Sequence, residues 1–363
     1  MRSSMLQNTR KVLHQILGQE GEFPAYFSFY NDLTHRHNDY HVTIDAPPTL
    51  LPITGDTILL AANTIRSNVS RSKKETDESF RTLAASDPKA CYNEKAVRIA
   101  TQAMFMVDPN AEECHATDFT LGAYRPLSWR SDETLVAFIH RVFPPSLTTS
   151  QEVARDAVEY RSLRARKLQK RLGARFRPTN DMAQHLLFDE KRNCLYLFHH
   201  VGFLKAHLSR YRAKEKPLAV GLEGSLAVGT LPPQLLVETL YTLQAVLFPS
   251  IDPDSAQTLD ELIEKRGFDP ECAEYEGYEL FQDLPSDFRF VYWGERIAHL
   301  HQLMSRSPPR NKLERWFRRK STEGNALFVA LLALVISILV GLVSIVLSCV
   351  QIWITWYTWK YTP

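Results

Sequence analysis

Three histidines and an aspartate fall within seven positions near the N-terminus of the chain. The stretch THRHNDYHV, residues 34–42, places them at alternate positions, His35, His37, Asp39 and His41. In an extended backbone, alternate side chains point to the same face, where imidazole and carboxylate groups can reach one zinc ion. The pattern therefore raises the hypothesis of a metal-dependent hydrolase.

The surrounding sequence weighs against such a site. The stretch superficially resembles the HxHxDH signature of metallo-β-lactamase-like hydrolases, in which a histidine directly follows the aspartate, whereas here Tyr40 intervenes. Arg36 and Asn38 make the opposite face polar as well, so a strand here would have no side to bury. We therefore predict a solvated turn. The four residues remain the metal candidates of an alternative function, a membrane-bound metal-dependent hydrolase.

A second group of four histidines lies within residues 184–208. Leucine, phenylalanine and valine side chains surround them, and histidine is readily buried when backbone groups satisfy its ring nitrogens. We predict that these histidines are packed into a core rather than arranged as metal ligands. They are His185, His199, His200 and His207.

The usual signatures of nucleotide and hydrolase chemistry are missing from the sequence. It contains no GxxxxGK[ST] loop, no HExxH motif and no GxGxxG stretch. The glycine before Ser225 stands directly beside it, whereas a nucleophile elbow needs a glycine two positions away. We therefore lean against an enzyme and expect no cofactor.

The composition is that of a folded chain with a hydrophobic core. Of 363 residues, 44% are hydrophobic, and the formal net charge of +2 does not favour nucleic acid as a partner of the whole molecule. The five cysteines stand singly, which fits neither a zinc ribbon nor a disulfide framework and favours a reducing compartment. The N-terminus lacks a continuous apolar stretch, so no secretory signal is predicted.

Residues 326–350, ALFVALLALVISILVGLVSIVLSCV, give the strongest signal in the chain. The run holds no charge and no proline, and about 20 such residues are enough for a helix to cross a hydrocarbon core of roughly 30 Å. The alternative, a core helix of a soluble domain, would need apolar partners on every side. We predict one transmembrane helix.

The charges on the two sides of this run predict its orientation. Six basic residues precede it and only Lys360 follows it, so the positive-inside rule places the N-terminal side in the cytosol. Aromatic residues behind the run fit the belt expected at the far interface, which predicts a tail-anchored protein. The membrane-interface residues are Arg310, Lys312, Arg315, Arg318, Arg319, Lys320, Trp353, Trp356, Tyr357 and Trp359.

Small side chains recur within the run at spacings of four, four, three and four residues. This spacing places them on one helix face, where two backbones can approach closely in lipid and form a homo-oligomer. Small residues are also common in such helices without any association, and the sequence leaves both interpretations open. The face consists of Ala333, Ser337, Gly341, Ser344 and Ser348.

Helical periodicity dominates the rest of the chain, so we predict a mostly α fold with a minor β element. The expected layout is an α-rich cytosolic domain over residues 1–305, a basic linker over 306–325, the transmembrane helix over 326–350 and a short aromatic tail over 351–363. A boundary between two lobes is expected near 143–150, where FPPSLTTS could equally be a turn.

Individual elements follow from local signals. Helices are predicted over residues 93–107, 132–143 with Ser131 as N-cap, 150–172, 232–248, 256–266 with Gly267 behind it, and 286–306. Residues 41–46 and 194–198 are short runs that fit a strand or a helix.

Residues 161–177 form the strongest basic run of the expected cytosolic part. A stacking platform of interleaved aromatic residues is lacking, so nucleic acid is not expected as a partner. A solvated helix face and a surface held against anionic lipid both remain open. The run contains Arg161, Arg164, Arg166, Lys167, Lys170, Arg171, Arg175 and Arg177.

Several segments resemble a group of uncharacterised proteins of filamentous fungi. They are DMAQHLLFDEKRNCLYLFHHVGFLKAHL, LPPQLLVETLYTLQAVLFPS, KRGFDPEC and FRFVYWGERIAHLHQLMSRSPPRNKLERWF, the last followed by the apolar run. The resemblance implies an α-rich body with a C-terminal membrane anchor, and no site residue follows from it.

These patterns together predict a single-pass, tail-anchored membrane protein. Its cytosolic helical domain is expected to bind partner proteins as an interaction or scaffold module, with anionic lipid of the cytosolic leaflet as a second partner. The metal-dependent hydrolase built on THRHNDYHV is the alternative.

Overall fold

A computed structural model describes residues 2–38, 53–87, 90, 92–114, 120–121, 124–159, 161–212, 217–275, 288–306 and 325–361. The chain divides into two compact units, Met1–Arg306 and Ser307–Pro363. The sequence FPPSLTTS, where a lobe boundary is predicted, lies inside the first unit.

The first unit is mostly helical, which confirms the predicted fold class. Helix α3 packs against α5, and α13 packs against α7. The helices are α1 (Arg2–Leu17), α2 (Pro24–Asn38), α3 (Gly55–Ser67), α4 (Lys73–Ser86), α5 (Ala96–Phe105), α6 (Leu135–Val142), α7 (Thr148–Glu159), α8 (Ala165–Leu172), α9 (Val201–Ser209), α10 (Leu222–Val228), α11 (Pro233–Tyr241), α12 (Pro253–Arg266) and α13 (Gly294–Arg306).

A three-stranded sheet supplies the β element. Its strands are β1 (Arg175–Thr179), β2 (Leu187–Asp189) and β3 (Cys194–Phe198), in the order β1-β3-β2. Strand β3 runs parallel to β1 and antiparallel to β2, and its residues are almost entirely buried. Residues 194–198 are therefore a strand, and residues 41–46 lie outside the described residues.

Short polar signals at helix ends explain several boundaries. Helix α4 begins with a capping box, in which the Ser72 hydroxyl accepts from Glu75 N and the Glu75 carboxylate accepts from Ser72 N. The N-cap of helix α6 is Thr134, three residues after the predicted Ser131, and its hydroxyl accepts from Ala137 N at 3.1 Å. The assignment of Ser131 as N-cap is therefore wrong.

The helix predicted over residues 150–172 is two helices. Arg161 adopts a left-handed conformation with φ of 51° and interrupts the periodic pattern. Arg161 N donates to Val158 O and Ser162 N donates to Ala157 O, which is the hydrogen-bond pattern of a Schellman motif. Because the left-handed position is held by an arginine rather than a glycine, the sequence carries no obvious sign of this break.

The C-terminal end of α1 is capped from a distant part of the chain. The Arg210 guanidinium donates to Ile16 O at 2.6 Å, to Leu17 O at 2.9 Å and to Val228 O at 2.8 Å. A cation that takes up the last carbonyl groups of a helix also suits the negative end of its dipole. Arg210 thus ties the C-terminal end of α1 to the C-terminal end of α10.

A buried glutamate connects α11 to α13. Glu238 is fully buried, and its carboxylate accepts from Val291 N at 2.7 Å and from the N–H groups of Tyr292 and Trp293 at 2.9 Å each. Gln234 Nε2 donates to the same carboxylate at 2.8 Å. Because residues 291–293 bind Glu238, α13 begins only at Gly294 and the helix predicted over 286–306 is too long.

The second unit contains one long helix, α14 (Asn325–Tyr361). Within it, Ile336–Trp356 is a 21-residue stretch with a mean hydropathy of 2.3, and none of it is buried. A helix of this length and composition can cross a membrane.

Glu238→Gln should lower the free energy of unfolding by about 2 kcal/mol. Glutamine has one acceptor oxygen, and its amide group would face backbone N–H donors, so at least one buried donor loses its partner. Urea unfolding of the full chain in a mild detergent measures the change. Glu261→Gln, an exposed glutamate on α12, is the matched control and should change stability by less than about 0.5 kcal/mol. Equal stability of the two variants would contradict the role given to Glu238.

Candidate functional site

The backbone of THRHNDYHV is helical where the structure describes it. His35 and His37 belong to the last turn of α2, whereas Asp39 and His41 lie outside the described residues. Residues two apart on a helix point about 200° away from each other, so the extended geometry on which the metal hypothesis rests is wrong for these two histidines. The four-residue metal site itself stays a prediction. Within the described part of the chain, no group of three His, Cys, Asp or Glu side chains could hold a metal ion.

The second group of histidines is buried, as predicted. His185 Nδ1 accepts from Phe198 N at 3.1 Å, so its Nε2 donates to the Thr242 hydroxyl at 2.8 Å. His199 Nδ1 accepts from Asp269 N at 3.0 Å, and burial lowers the pKa of His199 to about 4. These rings are neutral structural elements of the core.

The other two buried histidines are less fully satisfied. His200 Nε2 donates to Asn180 Oδ1 at 2.8 Å. His207 lies 4.1 Å from the Phe203 ring, and neither of its nitrogens has a hydrogen-bond partner among the described residues. Burial holds the pKa of both rings well below the usual value.

The apolar stretch of α14 exposes large side chains on all sides. Ile345 is 61% exposed and Ile352 is 69% exposed. Its candidate span, Ile336–Trp356, lies further along the chain than the predicted residues 326–350, although α14 covers both ranges. Trp353 and Trp356 are exposed near the C-terminal end of the span. The six basic interface residues lie outside the described residues.

The small residues of the span belong to one continuous helix. Ser337, Gly341, Ser344 and Ser348 are exposed there, and Ala333 belongs to the same helix by its backbone. A Cβ atom added to Gly341 would meet no described atom within 4 Å. The four exposed positions therefore leave room for a second helix to approach.

The basic run is divided between ion pairs and exposed charges. Arg164 lies 3.7 Å from Asp252 and Arg166 lies 3.5 Å from Asp254, so these two cations are paired with the start of α12. The remaining basic side chains of the run lie on α8, on β1 and in the turn before α8, and all of them are exposed: Arg161, Lys167, Lys170, Arg171, Arg175 and Arg177.

The first unit also contains a cavity of about 610 Å³, which sequence reasoning missed. It is lined by the segment behind α5, the C-terminal end of α6, the region of β2 and the first turn of α13. Its walls are mostly apolar, with a few ionisable groups among them. A cavity of this size and character is typical of small-molecule sites.

Arg296 is the central cation of the cavity. Its Cζ lies 4.8 Å from the centre of the Trp293 ring, and its Nη1 donates to His185 O. Burial lowers the pKa of Arg296 to about 10, so the guanidinium keeps its charge at neutral pH. Among the described residues, His185 O is the acceptor that Arg296 binds. The planar guanidinium of Arg296 has further N–H donors, and Arg296 lines the cavity.

Asp181 lines the same cavity and is easily protonated. Its Oδ1 accepts from Ala183 N at 2.9 Å. Burial raises the pKa of Asp181 to about 7, and the neighbouring Asp108 carboxylate adds to the effect while Arg296 opposes it. Burial also raises the pKa of Tyr124, which keeps its hydroxyl protonated. At neutral pH the cavity therefore combines a fixed cation with two groups that can donate hydrogen bonds.

Comparison with protein-family models, curated proteins and solved structures finds no match to this chain.

Asp181→Asn should change the pH dependence of stability. A carboxyl group whose pKa is raised from 3.8 to about 7 favours the folded state fully below pH 3.8, and this contribution is lost progressively as the pH rises to 7. Asparagine keeps an acceptor for Ala183 N and does not ionise. Since a change of one pKa unit is worth about 1.4 kcal/mol, the stability of the wild type relative to the variant should fall by about 4 kcal/mol between pH 4 and pH 8. Denaturant unfolding at several pH values measures this difference.

The exposed carboxyl of Asp260 provides the control for this titration. Asp260→Asn replaces an exposed carboxyl, and its stability difference from the wild type should stay constant over the same pH range. If the stability difference between the wild type and Asp181→Asn did not change with pH, the Asp181 carboxyl would ionise normally and the expectation would be wrong.

Proposed function

We propose that the protein is a single-pass, tail-anchored membrane protein whose helical first unit faces the cytosol and binds partner proteins. The observation that carries the proposal is the 21-residue apolar stretch Ile336–Trp356, none of which is buried. In water this surface would have to associate, whereas in lipid the helix satisfies its own backbone groups and its side chains need no protein partner.

The charge distribution supports the orientation. The basic residues 310–320 precede the apolar stretch, and positive charge is retained on the cytosolic side of a membrane. The resemblance of several segments to filamentous-fungal proteins with a C-terminal anchor belongs to the same proposal. The exposed small residues of α14 support self-association of the anchor, since close approach of helices is what favours packing in lipid.

Two arginines in the middle of the span should prevent insertion. Val343→Arg combined with Val346→Arg costs about 6 kcal/mol at the centre of a bilayer. The wild type should stay with membranes after carbonate extraction, and this variant should move to the soluble fraction. Gln351→Arg with Thr355→Arg is the matched control, because charges near the end of the stretch can reach the interface. Retention of the central variant in the membrane would exclude a transmembrane helix.

Glycosylation mapping tests the orientation. A sequon added behind Pro363 should be glycosylated in microsomes, and the native sequon Asn68-Val69-Ser70 should stay unmodified. Glycosylation of Asn68 would place the first unit in the lumen and overturn the proposal. Modification of neither site, together with extraction by carbonate, would mean that the chain does not insert.

The exposed cations on α8 and β1 supply a second lipid contact in this proposal. Lys170 and Arg171 lie in the last turn of α8, and Arg175 follows at the start of β1. Arg175 Nη2 donates to Arg192 O at 2.9 Å, which places the exposed Arg192 beside the same patch. Positive charges close to an anionic leaflet contribute about 1 kcal/mol each.

Lys170→Glu with Arg171→Glu should weaken binding of residues 1–306 to vesicles containing phosphatidylserine by at least tenfold, because two favourable charges become repulsive. Co-sedimentation with these vesicles, and with vesicles of phosphatidylcholine alone, measures the change. Arg71→Glu with Lys74→Glu alters two exposed cations beside α4 and is the matched control. If both variants lost vesicle binding equally, the binding would depend on net charge rather than on the patch formed by α8 and β1.

A further inference from the structure

The cavity of the first unit has the features of a ligand site that the proposed membrane role does not use. Its volume of about 610 Å³ lies within the usual range for small-molecule sites. It opens to the surface, because the exposed residues Arg125, Glu295 and His299 are among those that line it. The chemistry of its lining indicates what it would accept.

Arg296 defines one end of the site. Stacking on Trp293 and the hydrogen bond to His185 O hold the guanidinium in place from two directions. Among the described residues no carboxylate forms an ion pair with it, whereas Arg98, Arg141 and Arg164 each have an acidic partner. A fixed guanidinium with open N–H donors is suited to a planar acceptor that takes two parallel hydrogen bonds.

Most of the remaining lining is apolar, although Asp108, Arg125 and Arg141 are also among the lining residues. Val107, Leu127, Phe143, Leu186 and Phe188 contribute aliphatic and aromatic surface to the cavity. Apolar surface of this kind favours a hydrocarbon or aromatic body, since each buried CH₂ group is worth about 0.8 kcal/mol. The cavity therefore combines one cationic position with a larger hydrophobic space.

We propose that this cavity binds a small molecule with a single carboxylate on an apolar body, and that Arg296 binds the carboxylate. A carboxylate is favoured over a phosphate monoester, which carries close to two negative charges. Of the three arginines that line the cavity, Arg141 is paired with Glu133 and Arg125 is exposed, so Arg296 is the part-buried cation that has no carboxylate partner among the described residues. Glu295 also lines the cavity, and its carboxylate would repel a second negative charge on the ligand.

The experiment uses the full chain in phosphatidylcholine nanodiscs, with empty nanodiscs as the blank. Calorimetric titration compares 4-phenylbutyrate with 4-phenylbutan-1-ol, which has the same apolar body without the charge. The carboxylate should bind at least tenfold more tightly than the alcohol, because a charge-assisted hydrogen bond to a buried group is strong. Equal affinity, or binding of neither compound, would overturn the proposal.

Variants locate the interaction. Arg296→Met should weaken the binding of 4-phenylbutyrate at least tenfold and leave the binding of the alcohol unchanged. Arg296→Lys should weaken 4-phenylbutyrate binding less, because lysine keeps the charge. Val142→Trp occupies the cavity and should weaken both compounds. Arg192→Met, an exposed arginine that does not line the cavity, should change neither. Unchanged binding of 4-phenylbutyrate to both Arg296→Met and Val142→Trp would place the site elsewhere.

Two further outcomes are decisive. Tighter binding of 4-phenylbutyl phosphate than of 4-phenylbutyrate would overturn the carboxylate assignment. If Arg296→Met does not fold, which thermal unfolding reveals, the comparison of the two compounds on the wild type and on Val142→Trp still decides the proposal. The proposal would be supported if Val142→Trp bound neither compound and the wild type bound the carboxylate at least tenfold more tightly than the alcohol.

Discussion

One buried carboxylate determines the geometry around helix α13. Because Glu238 accepts hydrogen bonds from three consecutive residues, the backbone before Gly294 cannot continue as a helix, and α13 starts at a fixed point. Trp293 and Arg296 take their positions from that start, and both line the cavity. A carboxylate without partners would be too costly to bury, but backbone donors and Gln234 satisfy this one. The shape of the cavity therefore depends on a residue that does not line it.

Apolar side chains are mostly buried in the first unit but exposed in α14. In the first unit, Ile16, Phe138 and Leu240 are at most 1% exposed, and they belong to one continuous core. In α14 the apolar stretch Ile336–Trp356 has its side chains outward, and none of it is buried. The first arrangement obtains its stability by excluding water, whereas the second can only be stable where water is already absent.

The sequence was most informative where the determining signals are local. Periodicity predicts α5, α11 and α12, and the capping box at Ser72 is a local signal for the start of α4. The signals failed where distant residues decide the outcome. The break at Arg161 depends on a left-handed arginine, the start of α13 depends on Glu238, and Asp181 approaches Arg296 only through the fold. The helical backbone at His35 likewise has no clear local marker.

The cap that Arg210 places on α1 bears on the order in which the protein can be completed during synthesis. Its hydrogen bonds to Ile16 and Leu17 join residues 194 and 193 positions apart, so the first helix leaves the ribosome long before its partner exists. Contacts of such long separation slow folding, and until they form, the last carbonyl groups of α1 lack this cap. More than half of the chain must therefore be translated before its beginning can reach its final position.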